Sequence, residues 1–379
     1  MALINYVTQI QFEFGAIGLL RQQCERVGIS RPLVVTDRGV KAVGIVDIVL
    51  DALGHEGSVS VYDGTPPNPN EAAVREAVAV YRQGDCDGIV AVGGGSSIDL
   101  AKGVAVCATH DGPLQGFAVI EGGLDRITAR TAPVIAVPTT AGTGSEVGRG
   151  AILILDDGRK VGVISPFVVP RAAICDPALT LGLPPALTAA TGMDAIAHCI
   201  ETFLSPAFNP PADGIALDGL WRGWRHIERA TRNPGDRDAR LNMMSASMQG
   251  ALAFQKGLGC VHSLSHSLGG IDPRLHHGTL NAIFLPAVIA FNETGASVRE
   301  EGKLERLASA MGLAGGADVG PSVRAMTERL GLPTGLAQLG VTRAMFPAIV
   351  RGALKDHSHK TNPRVASDTD YEALLEASL

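Results

Sequence analysis

Aromatic side chains are scarce in this chain: phenylalanine, tyrosine and tryptophan together make up 4% of 379 residues. Single-stranded nucleic acid is held by stacking on such rings at intervals, so that class of partner is excluded. Charge is thin as well, with 18% Asp, Glu, Lys and Arg, a formal net charge of -6 and no dense Lys/Arg block. A phosphate backbone would find little to bind. The cysteines Cys24, Cys86, Cys107, Cys175, Cys199 and Cys260 include no Cys-x-x-Cys pair and read as reduced core residues. No apolar run reaches membrane-spanning length without a charge or a proline. Residues 1–8 lack the basic region ahead of an apolar core that marks a secretory leader. A cytoplasmic location is the expectation.

What is present is length and apolar mass. With 46% hydrophobic residues over 379 positions the chain outgrows one ordinary core, so two domains are expected. In the first half, β-rich runs at 32–37, 57–62, 87–92 and 133–138 alternate with helical periodicity at 71–83 and 97–108. Alternation of that kind favours a parallel sheet covered by helices. After the Pro-rich stretch ending at Pro184-Pro185 the character changes. Helical periodicity runs through 185–204, 211–230, 237–256, 259–268, 278–292, 298–311, 321–330 and 343–354, with a last amphipathic segment at 366–379. The expected organisation is an α/β domain over 1–182 and an all-helical domain over 183–379.

Two loops in the first half carry chemistry. Gly93-Gly94-Gly95-Ser96-Ser97-Ile98-Asp99 follows a buried strand and opens a helix, where free N–H groups face a phosphate. It lacks the Gly-x-Gly-x-x-Gly spacing, so it either cradles phosphate in a non-Rossmann way or merely relieves crowding. Thr139 to Glu146, after the next strand, adds a second cluster of small donors, and the pair together suggests a dinucleotide cleft. Asp37 closes the first strand, where an acid accepts from a ribose 2′-hydroxyl and disfavours a 2′-phosphate. That reading favours NAD over NADP; the alternative is an Asp that only caps a turn.

The second half holds the stretch the rest serves. Asp194 and His198 are four apart with no Pro or Gly between them, which stacks both on one helix face. His262 and His266 repeat the spacing, and His276-His277 follow a short loop later. Either pair alone could be an ordinary helix pair or a surface stripe. Their neighbours Met193, Ile196, Ile200, Val261, Leu264 and Leu268 are too apolar for a solvated face, and buried ionisable groups need partners. One divalent cation would satisfy all of them.

Together these features resemble the iron-containing (group III) alcohol dehydrogenase family, in family order and over nearly the whole chain. They are Asp37, Asn68-Pro69, Gly93-Gly94-Gly95-Ser96 with Asp99, Pro138 to Glu146 and Lys160. Gly192-Met193-Asp194 with His198, His262 with His266, His277-Gly278 with Asn281-Ala282, and Asn362-Pro363-Arg364 complete the set. The resemblance implies a dehydroquinate synthase-like fold: an N-terminal α/β dinucleotide-binding domain and an all-α metal-binding domain. It implies metal ligation by Asp194, His198, His262 and a histidine before a glycine. His276 and His277 are both candidates there; the His-Gly-x-x-Asn-Ala register selects His277, whereas counting from His262 selects His276. His266 is implied as a cleft histidine and proton relay, with His357 and His359 near the same place.

For the cofactor, NAD, the resemblance implies contacts from Asp37, Asn68, Gly94, Gly95, Ser96 and Asp99. Thr139, Thr140, Thr143, Ser145, Lys160 and Leu181 are implied as well. The metal is expected to be Fe(II), with Zn(II) also suited to three imidazoles and a carboxylate. The implied reaction is hydride exchange between an alcohol or aldehyde and nicotinamide, in a homodimer or larger homo-oligomer. Phe167, Phe254 and Leu258 suggest an apolar substrate wall. Two rivals share the fold. A maleylacetate-reductase-like enzyme would not need Asp194 and every ligand histidine. A dehydroquinate-synthase-type lyase would need several basic groups near the ligands, where only Lys256 and Arg274 are in view.

Overall fold

The structure, a computed structural model, describes residues 8–54 and 59–379. Its contacts divide the chain into two units: the described residues up to Thr140 with Gly144–Gly182, and Ala141–Thr143 with Leu183–Leu379.

The first unit is built on a six-stranded, all-parallel sheet. Its strands are β1 (Gln9–Phe12), β2 (Pro32–Val35), β3 (Ser60–Tyr62), β4 (Gly88–Gly93), β5 (Val134–Pro138) and β8 (Ala172–Cys175), in the order β1-β8-β5-β4-β2-β3. Every residue of β2, β4, β5 and β8 is buried, as expected of strands covered on both faces. Their side chains alternate between two cores. Leu33, Val35, Ile89 and Ala91 enter one, while Val34, Val90, Val92 and Ile135 enter the other. A two-stranded antiparallel hairpin, β6 (Gly150–Ile154) with β7 (Lys160–Ile164), completes the unit. The expected strand at 57–62 is seen from Ser60; Gly57 and Ser58 lie outside the described residues.

Chain order fixes where a ligand can lie on this sheet. From β2 the chain goes outward to β3 and then returns to β4 on the other side of β2. The helices that follow β2 and β4 therefore diverge, leaving a crevice at the carboxyl ends of these two strands. Asp37 follows β2 and the glycine turn follows β4.

The second unit is helical. Pro185–Leu204 starts with Pro at its first position and is buried at every residue from Thr188 to Leu204. A helix apolar and buried all round belongs at a core centre. Pro210–Arg232, Arg237–Ala253, Cys260–Ile271, His277–Asn292, Val319–Arg329, Phe346–Ala353 and Asp368–Ala377 make up most of the rest. The segment expected as one helix over 298–311 is two, Ala296–Glu300 and Lys303–Met311, because Gly302 takes a left-handed φ of 56° between them. All six cysteines are free. Among the described residues no helix is long and apolar enough to cross a membrane.

Candidate metal and cofactor sites

In the helical unit, three imidazole nitrogens converge on one carboxylate oxygen. Asp194 Oδ1 lies 3.8 Å from His198 Nε2, 3.7 Å from His262 Nε2 and 3.7 Å from His277 Nε2. Donors bonded to one ion at about 2.1 Å and tetrahedral angles stand roughly 3.4 Å apart, so the set has the size of a single cation site. Asp194, His198 and His262 are buried, while the His277 side chain is 25% exposed and forms the accessible edge. Asn281 points its amide at the same focus. Its Nδ2 donates to Asp194 Oδ1 at 2.7 Å and lies 3.3 and 3.2 Å from the Nε2 atoms of His262 and His277.

Local sequence explains the convergence. Asp194 and His198 share one face of the helix Pro185–Leu204. Glu201, one turn further on, accepts from the backbone N–H groups of Val261 (2.8 Å) and His262 (3.3 Å), and so caps the helix Cys260–Ile271. The same carboxylate bonds His262 Nδ1 at 2.5 Å, which turns Nε2 toward Asp194. Gly278 lets His277 approach: a Cβ there would stand 2.0 Å from the Ala190 carbonyl oxygen. His276 is exposed, though the Asp194 charge still acts on its imidazole.

The protonation states suit a cation. Burial pushes the His198 imidazole down to about 4, against the pull of Asp194, so it is neutral at neutral pH. Burial would raise the Asp194 carboxyl, but His198, His277 and His262 outweigh it and hold the group below the usual range. His262 is opposed by burial yet raised to about 9 by Asp194 and Glu201. An ion held by this set would need the Nε2 of His262 unprotonated.

His266 stands beside this set rather than in it. Its ring stacks on that of His277 with centroids 5.2 Å apart and 10° between planes. Its Nδ1 lies 3.0 Å from Asp356 Oδ2. Burial pushes His266 down to about 4 although Asp356 pulls the other way. The two later histidines separate. His357 stacks on His266 at 5.6 Å, whereas His359 is buried and bonded to the Tyr371 hydroxyl at 3.0 Å. Phe254 meets the His198 ring edge-on at 5.3 Å, but Phe167 belongs to the other unit. Lys256 is buried and paired with Asp213, and the exposed Arg274 is paired with Asp272, so both cations in view are committed.

In the α/β unit, the glycine turn lies at the crevice described above. Gly93 has φ 147°, and a Cβ on it would stand 2.6 Å from Ser97 Oγ. Gly94 precedes the helix Gly95–Cys107 and lies against Thr140. Thr139 N–H bonds the Gly93 carbonyl at 2.9 Å. Ser96 Oγ donates to the Pro67 carbonyl at 2.5 Å, which draws in the loop carrying Asn68, and Lys160 Nζ bonds Asn68 Oδ1 at 2.9 Å. Asp37 caps the short helix Arg38–Ala42 through Val40 N–H at 3.0 Å, and its Oδ2 is 3.4 Å from Ser97 Oγ.

Asp99 and Ser145 are tied to each other and to the protein. Asp99 accepts from Ser145 Oγ at 2.5 Å and from Ile152 N–H at 2.9 Å, and Lys102 donates to Ser145 Oγ at 2.8 Å. Thr143 groups with the helical unit, so it does not belong with the rest of this cluster within one unit. Leu181 ends the last short helical turn of the α/β unit.

Two acids missed in the sequence thus organise the site. Glu201 sits in an apolar run three residues after His198, and such a buried acid had to have a partner. Asp356 left a weaker signal, standing in a polar stretch beside His357.

Comparison with known proteins gives this geometry its class. The model of the iron-containing alcohol dehydrogenase family matches residues 7–177, and that of the family's C-terminal part matches 188–379. The chain belongs to this family, and its activity class is alcohol-type oxidoreduction. A 4-hydroxybutyrate dehydrogenase of Cupriavidus necator is 65% identical over 384 residues, covering 100% of both chains. A crystal structure of a 1,3-propanediol oxidoreductase superposes with TM-score 0.92 at 34% identity, covering 100% of both. A sulfoacetaldehyde reductase of Bifidobacterium kashiwanohense, crystallised with NAD+, superposes with TM-score 0.89 at 27% identity, covering 100% of this chain and 99% of that one.

Proposed function

We propose that this chain is a metal-dependent, NAD-linked dehydrogenase that interconverts 4-hydroxybutyrate, or a closely similar short hydroxy acid, with its aldehyde. The observation that carries the metal is the meeting of three Nε2 atoms on Asp194 Oδ1 at 3.7–3.8 Å. Support for the substrate comes from the relative that is 65% identical over the full length. Residues 1–182 serve as the NAD-binding domain and 183–379 as the metal and catalytic domain. The protein works in the cytoplasm as a homodimer or larger homo-oligomer.

Asp194, His198, His262 and His277 would hold the cation, Fe(II) by family. When bound, the cation supplies Lewis acidity toward an alcohol or carbonyl oxygen, and NAD supplies the hydride acceptor. The chain's own residues do the rest. Glu201 fixes the ring of His262 so that Nε2 is the nitrogen facing Asp194. His266, with Nδ1 held by Asp356 and its ring kept neutral by burial, relays the hydroxyl proton outward without retaining it. Phe254 presses on His198 and helps keep water from the buried side. The glycine turn and the N–H groups opening Gly95–Cys107 would hold the pyrophosphate, and Asp37, beside Ser97, would accept from the ribose hydroxyls. Neither rival reading gains a specific observation, since Lys256 and Arg274 are both neutralised by partners.

The test is NAD reduction by purified, Fe(II)-loaded protein across 4-hydroxybutyrate, 1,3-propanediol and ethanol. The highest kcat/KM is expected for the hydroxy acid. Turnover preserved after complete metal removal would defeat the metal reading. A preference for unsubstituted alcohols would defeat the choice of substrate.

A further inference from the structure

A hydroxy acid differs from a plain alcohol by a carboxylate, and something near the metal set must recognise it. Lys256 and Arg274 are paired with Asp213 and Asp272, and Lys303 is buried on the carbonyls of Leu204 and Ser205. The imidazoles offer another route. From His277 at the accessible edge of the metal set, rings follow in succession: His266 at 5.2 Å, then His357 a further 5.6 Å on. His266 is spoken for through its Nδ1 bond to Asp356.

His357 differs. Its side chain is 34% exposed, and its Nδ1 stands 3.6 Å from Asp356 Oδ2. Asp356 is anchored in turn, its Oδ1 accepting from Ser358 N–H at 2.8 Å. Burial would raise the Asp356 carboxyl, but His266 and His357 outweigh it and hold the group well below the usual range. The acid therefore stays ionised and faces both imidazoles, and with Nδ1 of His357 turned to it, Nε2 is the outward nitrogen. In its cationic form an imidazole donates from both nitrogens and can bridge two carboxylates.

The reach fits. In extended 4-hydroxybutyrate the hydroxyl oxygen and the carboxylate carbon are about 5 Å apart. With the carboxylate C–O bond and a hydrogen bond of about 2.9 Å added, the hydroxyl oxygen and the imidazole nitrogen can stand about 9 Å apart, which spans most of the two successive ring spacings of 5.2 and 5.6 Å.

We infer that His357, braced by Asp356, binds the substrate carboxylate and so selects ω-hydroxy acids over neutral alcohols. This rests on the proposed function, and it assigns His357 to specificity rather than to the chemical step.

The experiment compares wild type, His357→Phe and His357→Lys as Fe(II)-loaded enzymes. Phe keeps a ring on His266 without any donor, and Lys restores a cationic donor. KM and kcat are measured for 4-hydroxybutyrate and for uncharged 1,4-butanediol, and the Kd of butyrate by calorimetry. In His357→Phe, KM for the hydroxy acid and Kd for butyrate should rise about tenfold or more, with kcat and the diol's kcat/KM held within about twofold. His357→Lys should recover part of the loss. Equal losses on acid and diol, or an unchanged butyrate Kd, overturn the role of His357 and leave the proposed substrate standing. Wild-type oxidation of the diol but not of the hydroxy acid overturns the substrate and this inference together.

Discussion

Glu201 illustrates how much one side chain can settle. Its two oxygens bond the Val261 amide and the His262 imidazole, so it caps the start of one helix and aims one candidate ligand. Glu201→Gln keeps the shape and an acceptor but loses the charge. Metal affinity should fall about 10–100-fold, read as faster loss of iron to a chelator, with activity recovered at high Fe(II). Retention of iron at the wild-type rate would show that His262 needs no such partner. The adjacent histidines give a second contrast. His277→Ala should remove bound metal and activity, whereas His276→Ala, at an exposed position, should change metal content little; elemental analysis of both variants decides. Asp37 caps the Val40 N–H, and one substitution separates that from its proposed role at the ribose. Asn at 37 can still cap the Val40 N–H but carries no charge, so Asp37→Asn should lower KM for NADP while leaving the melting temperature within about 2 °C. An unchanged ratio of NAD to NADP use would restrict Asp37 to capping.

At the scale of elements, close packing of helices delivers the ligands. Because a Cβ at Gly278 would lie 2.0 Å from the Ala190 carbonyl, Gly278→Ala must push the helix His277–Asn292 off the helix Pro185–Leu204. A loss of about 2 kcal/mol or more is expected in denaturant unfolding, together with loss of metal. A stable, metal-replete variant would mean that the helix can shift without moving His277. The same elements show what sequence could convey. Asp194 and His198 were legible because an i, i+4 pair needs only a helix to meet. The glycine turn was legible because it sits between a buried strand and a helix start. Glu201 with His262 and Asp356 with His266 were not, since these partners are 61 and 90 residues apart and meet only through tertiary packing. β8 was missed as a short, alanine-rich Ala-Ala-Ile-Cys run of weak strand preference, and β1 as four residues interrupted by glutamines. The β6–β7 hairpin had a readable signal in Asp157-Gly158 between its strands. Asp99 and Ser145 were legible as polar residues beside the turn, but their bonds to each other, to Lys102 and to Ile152 join segments 43 to 53 residues apart and form only in the fold.

For the whole molecule, the proposed chemistry requires a single cation per chain, bound by the native fold and absent from the unfolded one. Such an ion stabilises by mass action, so chelation should lower the melting temperature of wild type and leave that of His277→Ala unchanged. The most direct measurement is iron per chain, titrated against NAD-linked oxidation of 4-hydroxybutyrate in the same samples. Activity is expected to rise linearly and level off at one equivalent in wild type, with neither binding nor turnover in His277→Ala. Full activity in metal-free protein, or an equivalent of iron still held after Asp194, His198 and His277 are each replaced by Ala, would contradict the account.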